Sequence, residues 1–224
     1  MILAIDTATR WTGLAVHDGF TVLAEVGWYA INRQTVELAP AVAEILARTG
    51  VGPPDLKALA VTLGPGSYTG LRVGMGFAKG MALAYRTPLI GIGTLDVVAA
   101  AFGRGSSSLV AVAEAGRGRV CAGVYAWHER FGWQATAAPE IETWEQLLGR
   151  LDGPATFAGE ISAEAHKRIR AAGKGFQAVG AAAGVRRAGY LAELGWRRWR
   201  SQKLDDPAAL TPIYLREPTG QKSP

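Results

Sequence analysis

The sequence predicts an α/β protein of two unequal lobes, each built on a mixed β-sheet with helices packed against it. Residues 1–100 run in the order strand, strand, strand, helix, strand, helix, strand, which favours a mixed sheet over a strictly parallel one. A glycine- and serine-rich stretch follows at residues 103–108 and is typical of a linker. Beyond this stretch, the same order of elements returns in a weaker form.

The first lobe opens with three short strands. Residues 2–6 alternate in hydropathy, and residues 12–17 and 21–28 form a predicted hairpin joined at Asp18-Gly19. The first strand ends in Asp6, a carboxylate that hydroxyl side chains follow.

Two helices and two further strands complete this lobe before a third helix begins at Thr94. Residues 35–49 have helical spacing and end at Gly50. Their predicted apolar stripe is Val36, Ala39, Val42, Ala43 and Leu46. The sequence also predicts strands at 56–63 and 89–91, with a helix at 69–85 between them.

The second lobe shows shorter elements. The pattern predicts strands at 109–113, 120–127, 155–158 and 177–179, and helices at 143–151, 162–172 and 184–199. We therefore expect one lobe at residues 1–103, a smaller one at 104–217, and a disordered tail at 218–224.

Composition excludes several classes of protein. The 224 residues are 49% hydrophobic and 19% charged, which is too apolar for a disordered chain. A single cysteine, Cys121, excludes an internal disulfide, and the three histidines stand too far apart in sequence to indicate a metal site. No uncharged apolar stretch is long enough to span a membrane, and the start lacks a secretion leader, so we expect a cytoplasmic protein.

The formal net charge of +5 arises entirely after residue 100. Residues 164–203 hold ten basic and two acidic side chains. This stretch fits either a surface for RNA or an acidic partner, or an ordinary solvated helix face. Trp196 and Trp199, three residues apart, are more typical of core packing than of base stacking.

Asp6, Thr7 and Thr9 are the weak candidates for a cofactor site. A carboxylate and hydroxyls at the end of a strand can hold a metal-bound phosphate. The same residues can instead cap a tight turn through side-chain to backbone hydrogen bonds.

The segment from Gly64 to Arg72 places glycines just before a helix, where backbone amides can bind phosphate. It lacks the lysine of a Walker loop, and Ser67 or Thr69 as the N-cap explains it without a ligand. We favour this structural interpretation.

The helix that follows is rich in small residues. Gly70, Gly74, Ala78 and Ala82 recur every four residues, with Gly76, Gly80 and Ala84 in a neighbouring row. Each interior glycine costs roughly 0.5–1 kcal/mol relative to alanine, so close approach of another element must compensate. We interpret this helix as half of an oligomer interface.

No catalytic residue is predicted. The sequence contains no Gly-x-Ser-x-Gly elbow, and Cys121 has no neighbouring histidine. The second half also lacks a glycine-rich loop that would grip the phosphates of a nucleotide from the other side.

Four segments together resemble the bacterial TsaB family, also called YeaZ, over nearly the whole chain. They are Ile2-Leu3-Ala4-Ile5-Asp6-Thr7-Ala8-Thr9, Gly64-Pro65-Gly66-Ser67-Tyr68-Thr69-Gly70-Leu71-Arg72-Val73-Gly74, Ile90-Gly91-Ile92-Gly93-Thr94-Leu95 and Pro212-Ile213-Tyr214-Leu215-Arg216. The chain departs from the family pattern at Gln34, where a histidine is usual, and across residues 114–121.

The resemblance implies an actin-like ATPase (ASKHA, ribonuclease H-like) fold with a degenerate second lobe. It also implies a non-catalytic partner of TsaD, which with TsaE and TsaC forms N6-threonylcarbamoyladenosine at position 37 of tRNAs that read codons starting with A. The chain would have no cofactor of its own, ATP and Mg²⁺ being used by the partner proteins. Contact with tRNA would be indirect at most.

In that family the two helices of the first lobe pair with TsaD, and they are expected to form a homodimer when TsaD is absent. The implied interface residues are Val36, Ala39, Val42, Gly70, Val73, Gly74, Phe77, Ala78 and Met81. The alternative is a stand-alone ATPase or small-molecule kinase that uses Asp6. Such enzymes clamp a nucleotide between both lobes, and only one lobe here shows even half a site.

Overall fold

The computed structural model describes residues 1–215, so the predicted tail at 218–224 lies outside the described residues. The described residues form two units, of which unit 1 comprises residues 1–97 and 186–213 and unit 2 comprises residues 98–185 and 214–215. No helix in the described part of the chain is long and apolar enough to cross a membrane.

Most elements lie close to their predicted positions, but the short strands at 132–135 and 140–143 were not predicted. The first eight are β1 (Ile2–Asp6), β2 (Trp11–His17), β3 (Val22–Tyr29), α1 (Gln34–Thr49), β4 (Ala58–Gly64), α2 (Tyr68–Tyr85), β5 (Leu89–Gly93) and α3 (Thr94–Ala100). The others are β6 (Ser108–Gly116), β7 (Arg119–His128), β8 (Gly132–Ala135), β9 (Glu140–Thr143), α4 (Trp144–Arg150), β10 (Ala155–Gly159), α5 (Ala163–Ala172), β11 (Gln177–Ala178), α6 (Ala181–Gly184) and α7 (Ala188–Arg200).

The sheet of unit 1 is mixed, as the sequence predicts. Its strand order is β3-β2-β1-β4-β5. The first three strands pair antiparallel, whereas β4 runs parallel to both β1 and β5. This order agrees with the ribonuclease H-like lobe that the resemblance implies.

Helices cover both faces of this sheet, and the alternation of β1 shows how. Leu3 and Ile5 join a core with residues of α1 and α2, whereas Ile2 and Ala4 join a second core with Leu191 of α7. Successive side chains of a strand point to opposite faces, so a strand covered on both sides is apolar throughout. All five residues of β1 are buried, including the polar Asp6.

The predicted apolar stripe of α1 is wrong in three of its five positions. The helix buries Gln34, Leu38, Val42, Ile45 and Leu46. Val36, Ala39 and Ala43 are exposed. The helix is rotated so that its larger apolar side chains, Leu38 and Ile45, face the sheet, because they bury more apolar area than alanines do.

Unit 2 repeats the plan of unit 1 at a smaller scale. Its sheet has the order β11-β10-β6-β7-β8, and β9 also pairs with β7. Read as β8-β7-β6-β10-β11, it has the order and strand directions of the first sheet. The second set is reduced, since β11 has two residues and α5 has 10 where α2 has 18.

The structure differs from the expected second lobe at 104–217, because residues 186–213 return to unit 1. The predicted helix at 184–199 is interrupted between α6 and α7. Beyond the break, α7 packs on the first sheet through small residues, with Gly195 lying against Ala60 of β4. Adjacency in sequence suggested one lobe, but burial of the second face of the first sheet determines the position of α7.

Candidate functional site

Asp6, the strongest polar candidate, lies at the end of β1 in a closed ion pair. Its Oδ1 accepts hydrogen bonds from the Ala8 amide at 3.0 Å and from Thr62 Oγ1 at 3.1 Å. The guanidinium of Arg186 contacts both carboxylate oxygens, with Nε on Oδ2 and Nη2 at 3.3 Å from Oδ1. The two side chains are 0% and 2% exposed, so solvent does not reach the pair.

The structure brings Asp6 and Thr9 together and sends Thr7 elsewhere. Arg186 Nη2 also donates to Thr9 Oγ1 at 3.1 Å and to the Trp11 carbonyl at 3.4 Å. Thr7 Oγ1 donates instead to the carbonyl of Gly70 in α2, at 2.7 Å. The hydroxyl side chains after β1 therefore hydrogen-bond this turn to two separate parts of the chain. Thr9 binds the segment just before α7, and Thr7 binds the first turn of α2.

This arrangement does not fit a magnesium-bound nucleotide at Asp6. A divalent cation needs carboxylate oxygens that are free to coordinate it, and here both oxygens bind the guanidinium or neighbouring donors. Displacing Arg186 would leave a buried cation without its partner, and breaking such a pair costs about 3–5 kcal/mol. Within residues 1–215, no three His, Cys, Asp or Glu side chains are grouped so that they would hold a metal ion.

Sequence reasoning missed Arg186. In the sequence, Arg186 is only one of the positive charges of the basic stretch, because 180 positions separate it from Asp6. No local periodicity links the two positions.

The glycine-rich loop before α2 is structural. Ser67 is the N-cap, and its Oγ accepts from the Gly70 amide at 3.2 Å. The Ser67 amide donates to the Ala8 carbonyl at 2.6 Å, and a Cβ atom on Gly66 would overlap that same carbonyl. Glycine is therefore required here by close approach of the turn after β1.

The two rows of small residues on α2 have different environments. A Cβ atom on Gly70 or Gly74 would overlap Thr7, so these glycines allow the turn after β1 to approach the helix. Gly76 and Gly80 have nothing within 4 Å of the position of a Cβ atom. Contacts within unit 1 thus explain the inner row and leave the outer row open.

Of the nine implied interface residues, the structure leaves five at least partly accessible. Val42, Gly70, Gly74 and Ala78 are buried within unit 1 and do not present a surface to a second chain. Val73, Phe77 and Met81 are half-buried, and Val36 and Ala39 are exposed. Leu83 and Tyr85, at 85% and 47% exposure, extend the same helix surface and were missed.

Ion pairs within each unit neutralise part of the charge of the basic stretch. Five of its arginines make ion pairs: Arg168 with Glu145 and Glu164, Arg186 with Asp6, Arg187 with Glu25, Arg197 with Glu193, and Arg198 with Asp205. Lys174 donates to the Leu151 carbonyl at 3.1 Å, just past the end of α4. Trp196 and Trp199 pack against the core beneath α7, as predicted.

Comparison with known proteins places these features in a family. The family model described as "TsaD: tRNA N6-adenosine threonylcarbamoyltransferase" matches residues 29–191. The tRNA threonylcarbamoyladenosine biosynthesis protein TsaB of Bacillus subtilis is 33% identical over 96% of this chain and 93% of its own length. The chain belongs to the TsaB family. The TsaB of Escherichia coli is 37% identical over 66% of this chain and 68% of its own length.

The fold agrees with a solved member of this family. YeaZ from Pseudomonas aeruginosa superposes with a TM-score of 0.78 over 96% of this chain and 99% of its own, at 22% identity. The predicted fold class is confirmed. A relative named as the transferase, from Anaeromyxobacter dehalogenans, is 40% identical but matches only 42% of this chain and 33% of its own length.

The two departures from the family pattern have structural roles. Gln34 is buried at the start of α1, where its Nε2 donates to the Thr9 carbonyl at 3.2 Å. In unit 2, Gly116, Arg117 and Gly118 form the turn between β6 and β7 with positive φ angles. Cys121 follows in β7, where burial raises the pKa of its thiol to about 11. It therefore stays protonated at neutral pH and is a poor nucleophile.

Proposed function

We propose that the chain is the non-catalytic partner of a TsaD transferase in the formation of N6-threonylcarbamoyladenosine on tRNA. The names of its relatives support the pathway. The non-catalytic role is supported by one observation above all, which is the closed pair between Asp6 and Arg186. The carboxylate that an ATPase of this fold would use is neutralised and enclosed by the chain itself.

The proposal includes the details that the family resemblance implies. The modified position is nucleotide 37 of tRNAs that read codons starting with A, and TsaE takes part in the reaction. ATP and Mg²⁺ are used by the partner proteins, and this chain holds no cofactor. The step takes place in the cytoplasm, where tRNAs are modified.

The outer face of α2 is the surface we propose for TsaD. Val73, Phe77 and Met81 form an i, i+4 ridge, and Gly76 and Gly80 form an open groove beside it. Ridges of one helix pack into grooves of another, and glycines let the two axes approach closely. Exposed Leu83 and Val36, together with Ala39, would add apolar area.

The charge of α2 indicates what its partner surface carries. The helix contains Arg72 and Lys79 and no acidic residue. We therefore expect acidic side chains around the apolar centre of the matching surface on TsaD, since complementary charges fix orientation and speed association. The same helices would form a homodimer through their apolar surface when TsaD is absent.

The proposal is tested by light scattering after size exclusion, on the chain mixed with TsaD of the same organism. Wild type is expected to elute as a 1:1 complex. Gly80→Leu, which fills the groove of α2, is expected to abolish the complex. Gly149→Leu in α4 is the matched control, because it also changes a helical glycine with nothing within 4 Å of its Cβ position. Absence of a complex with wild type would refute the proposal.

The alternative, a stand-alone ATPase or kinase that uses Asp6, is tested by calorimetry with Mg-ATP. We expect no binding to the purified chain, because Arg186 already satisfies the carboxylate. Micromolar binding that is lost on Asp6→Ala would favour the alternative.

A further inference from the structure

The two edges of the sheet in unit 1 are treated differently by the chain. At the β5 edge, the Leu89 carbonyl accepts from the Asp205 amide at 3.0 Å. The Gly91 amide donates to Asp205 Oδ2 at 2.8 Å, and the Gly91 carbonyl accepts from Arg198. Residues that follow α7 thus satisfy the outer backbone groups of β5 and close this edge.

The opposite edge, formed by β3, is open. It is the outermost strand of its sheet, and within residues 1–215 no other strand pairs with its outer side. Val22, Leu23, Val26 and Tyr29 are 36%, 40%, 42% and 60% exposed. Natural proteins usually protect such an edge with lysine, proline or a covering segment, and β3 contains neither residue.

The backbone groups that point outward from β3 follow from its pairing with β2. The Ala30 amide donates to the Arg10 carbonyl at 2.8 Å, which marks residues 10 and 30 as a hydrogen-bonded pair. Such pairs alternate along an antiparallel ladder, so the even-numbered residues from 24 to 28 bond to β2. The amides and carbonyls of Glu25, Gly27 and Tyr29 therefore point away from the sheet.

The sequence of β3 is complementary to itself in one antiparallel register. With a two-fold axis at Val26, Leu23 lies opposite Tyr29, Ala24 opposite Trp28, and Val26 opposite its own copy. Glu25, the only charged residue of the strand, then lies opposite Gly27. A register centred on Glu25 would instead place two carboxylates face to face, and like charges directly opposite destabilise a sheet.

Glu25 is also prepared for burial in such an edge. Its carboxylate is paired with Arg187, and its Oε1 accepts from the Gly189 amide at 2.9 Å. An apolar groove of about 490 Å³ lies beside the strand, lined in part by Ala24, Val26 and Ile45. The two-fold axis at Val26 would place two copies of this groove next to each other.

We propose that β3 pairs with β3 of a second copy of this chain, antiparallel about Val26, so that two sheets join into one. The interface is isologous, since the same strand contributes from both copies. It is separate from the α2 surface proposed for TsaD, so failure of either proposal leaves the other standing.

Disulfide trapping with Val26→Cys is the first test. Two residues 26 would form a non-hydrogen-bonded pair with Cα atoms about 4.5 Å apart, which is within disulfide range. We expect rapid, near-complete formation of a covalent dimer under mild oxidation. Val22→Cys is the matched control, because the two copies of residue 22 would lie roughly 26 Å apart. Native Cys121 is buried, and oxidation of wild type measures any covalent dimer that this cysteine forms.

Light scattering on charged variants is the second test. The tests use Leu83→Lys as the background, because its charge blocks the homodimer through α2. Leu83→Lys is expected to be a dimer by mass through β3, and the double variant Leu83→Lys/Val26→Lys a folded monomer. Circular dichroism establishes that the double variant is folded. A monomeric Leu83→Lys, equal trapping of both cysteine variants, or a dimer that persists in the double variant would each overturn the proposal.

Discussion

Arg186 determines what the Asp6 carboxylate is able to do. In a strand end that resembles a nucleotide site, the guanidinium binds both carboxylate oxygens and reaches Thr9 as well. The same contacts hold the segment just before α7 against the end of β1. One side chain thus closes a potential site and fastens a distant segment.

Replacing Arg186 by glutamine is predicted to destabilise the protein strongly. The variant leaves the Asp6 carboxylate buried without its cation, and we expect a loss of about 3–5 kcal/mol in the free energy of unfolding in urea. Arg187→Gln is the control at the neighbouring position. The Arg187 side chain is 59% exposed, and Glu25 keeps a hydrogen bond from the Gly189 amide, so that loss is expected to stay below about 1 kcal/mol. Similar losses for both variants would contradict this account.

The sequence predicted Asp6 and Thr9 as candidates but not their use. Carboxylates and hydroxyls after a strand are visible in any sequence, and so is the Ser67 cap that the structure confirms. The partner of Asp6 is separated from it by 180 positions. A contact of that range leaves no trace in a single sequence, and a buried arginine resembles any surface one.

Most elements were predictable because their signals are local. Alternation and turn residues located β1 to β5, and α1 and α2 end at their predicted residues, 49 and 85. The orientation of α1 was not predictable in the same way. Its alanines made two stripes nearly equivalent, and only packing on the sheet distinguished Leu38 and Ile45 from Val36.

The two glycine rows of α2 are predicted to respond to alanine with opposite signs. Gly74→Ala places a Cβ atom on Thr7, and such overpacking costs about 1–3 kcal/mol. Gly80→Ala meets open space and is expected to stabilise the helix by roughly 0.5–1 kcal/mol. Thermal unfolding of the two variants measures both effects. Destabilisation by Gly80→Ala in the isolated chain would refute the assignment of rows.

At the scale of the whole molecule, the repeated order of elements in two lobes was predictable from the sequence. The return of residues 186–213 to unit 1 was not. The linker at 103–108 and the weaker second set of elements indicated two lobes. α7 lies in unit 1 because it covers the second apolar face of the first sheet. The small residues Ala192 and Gly195 fit against that face. Sequence order alone assigned it to the nearer lobe.

Hydrogen exchange on Leu191→Asp tests this assignment. Leu191 is fully buried between α7 and the first sheet, so a carboxylate there should loosen unit 1. We expect loss of amide protection in β1 and β4, with protection retained in β6 and β10. Glu193→Ala, on the exposed side of α7, should leave both units unchanged. Loss of protection in β6 and β10 alone would contradict the assignment.

The central claim is that this member of the TsaB family supports a transferase without performing chemistry. The most direct measurement is formation of N6-threonylcarbamoyladenosine on tRNA by purified components, with TsaC and TsaE present throughout. We predict no product from this chain without TsaD, little from TsaD without this chain, and full activity when both are present. Product from the chain in the absence of TsaD, or undiminished product when the chain is omitted, would contradict the claim.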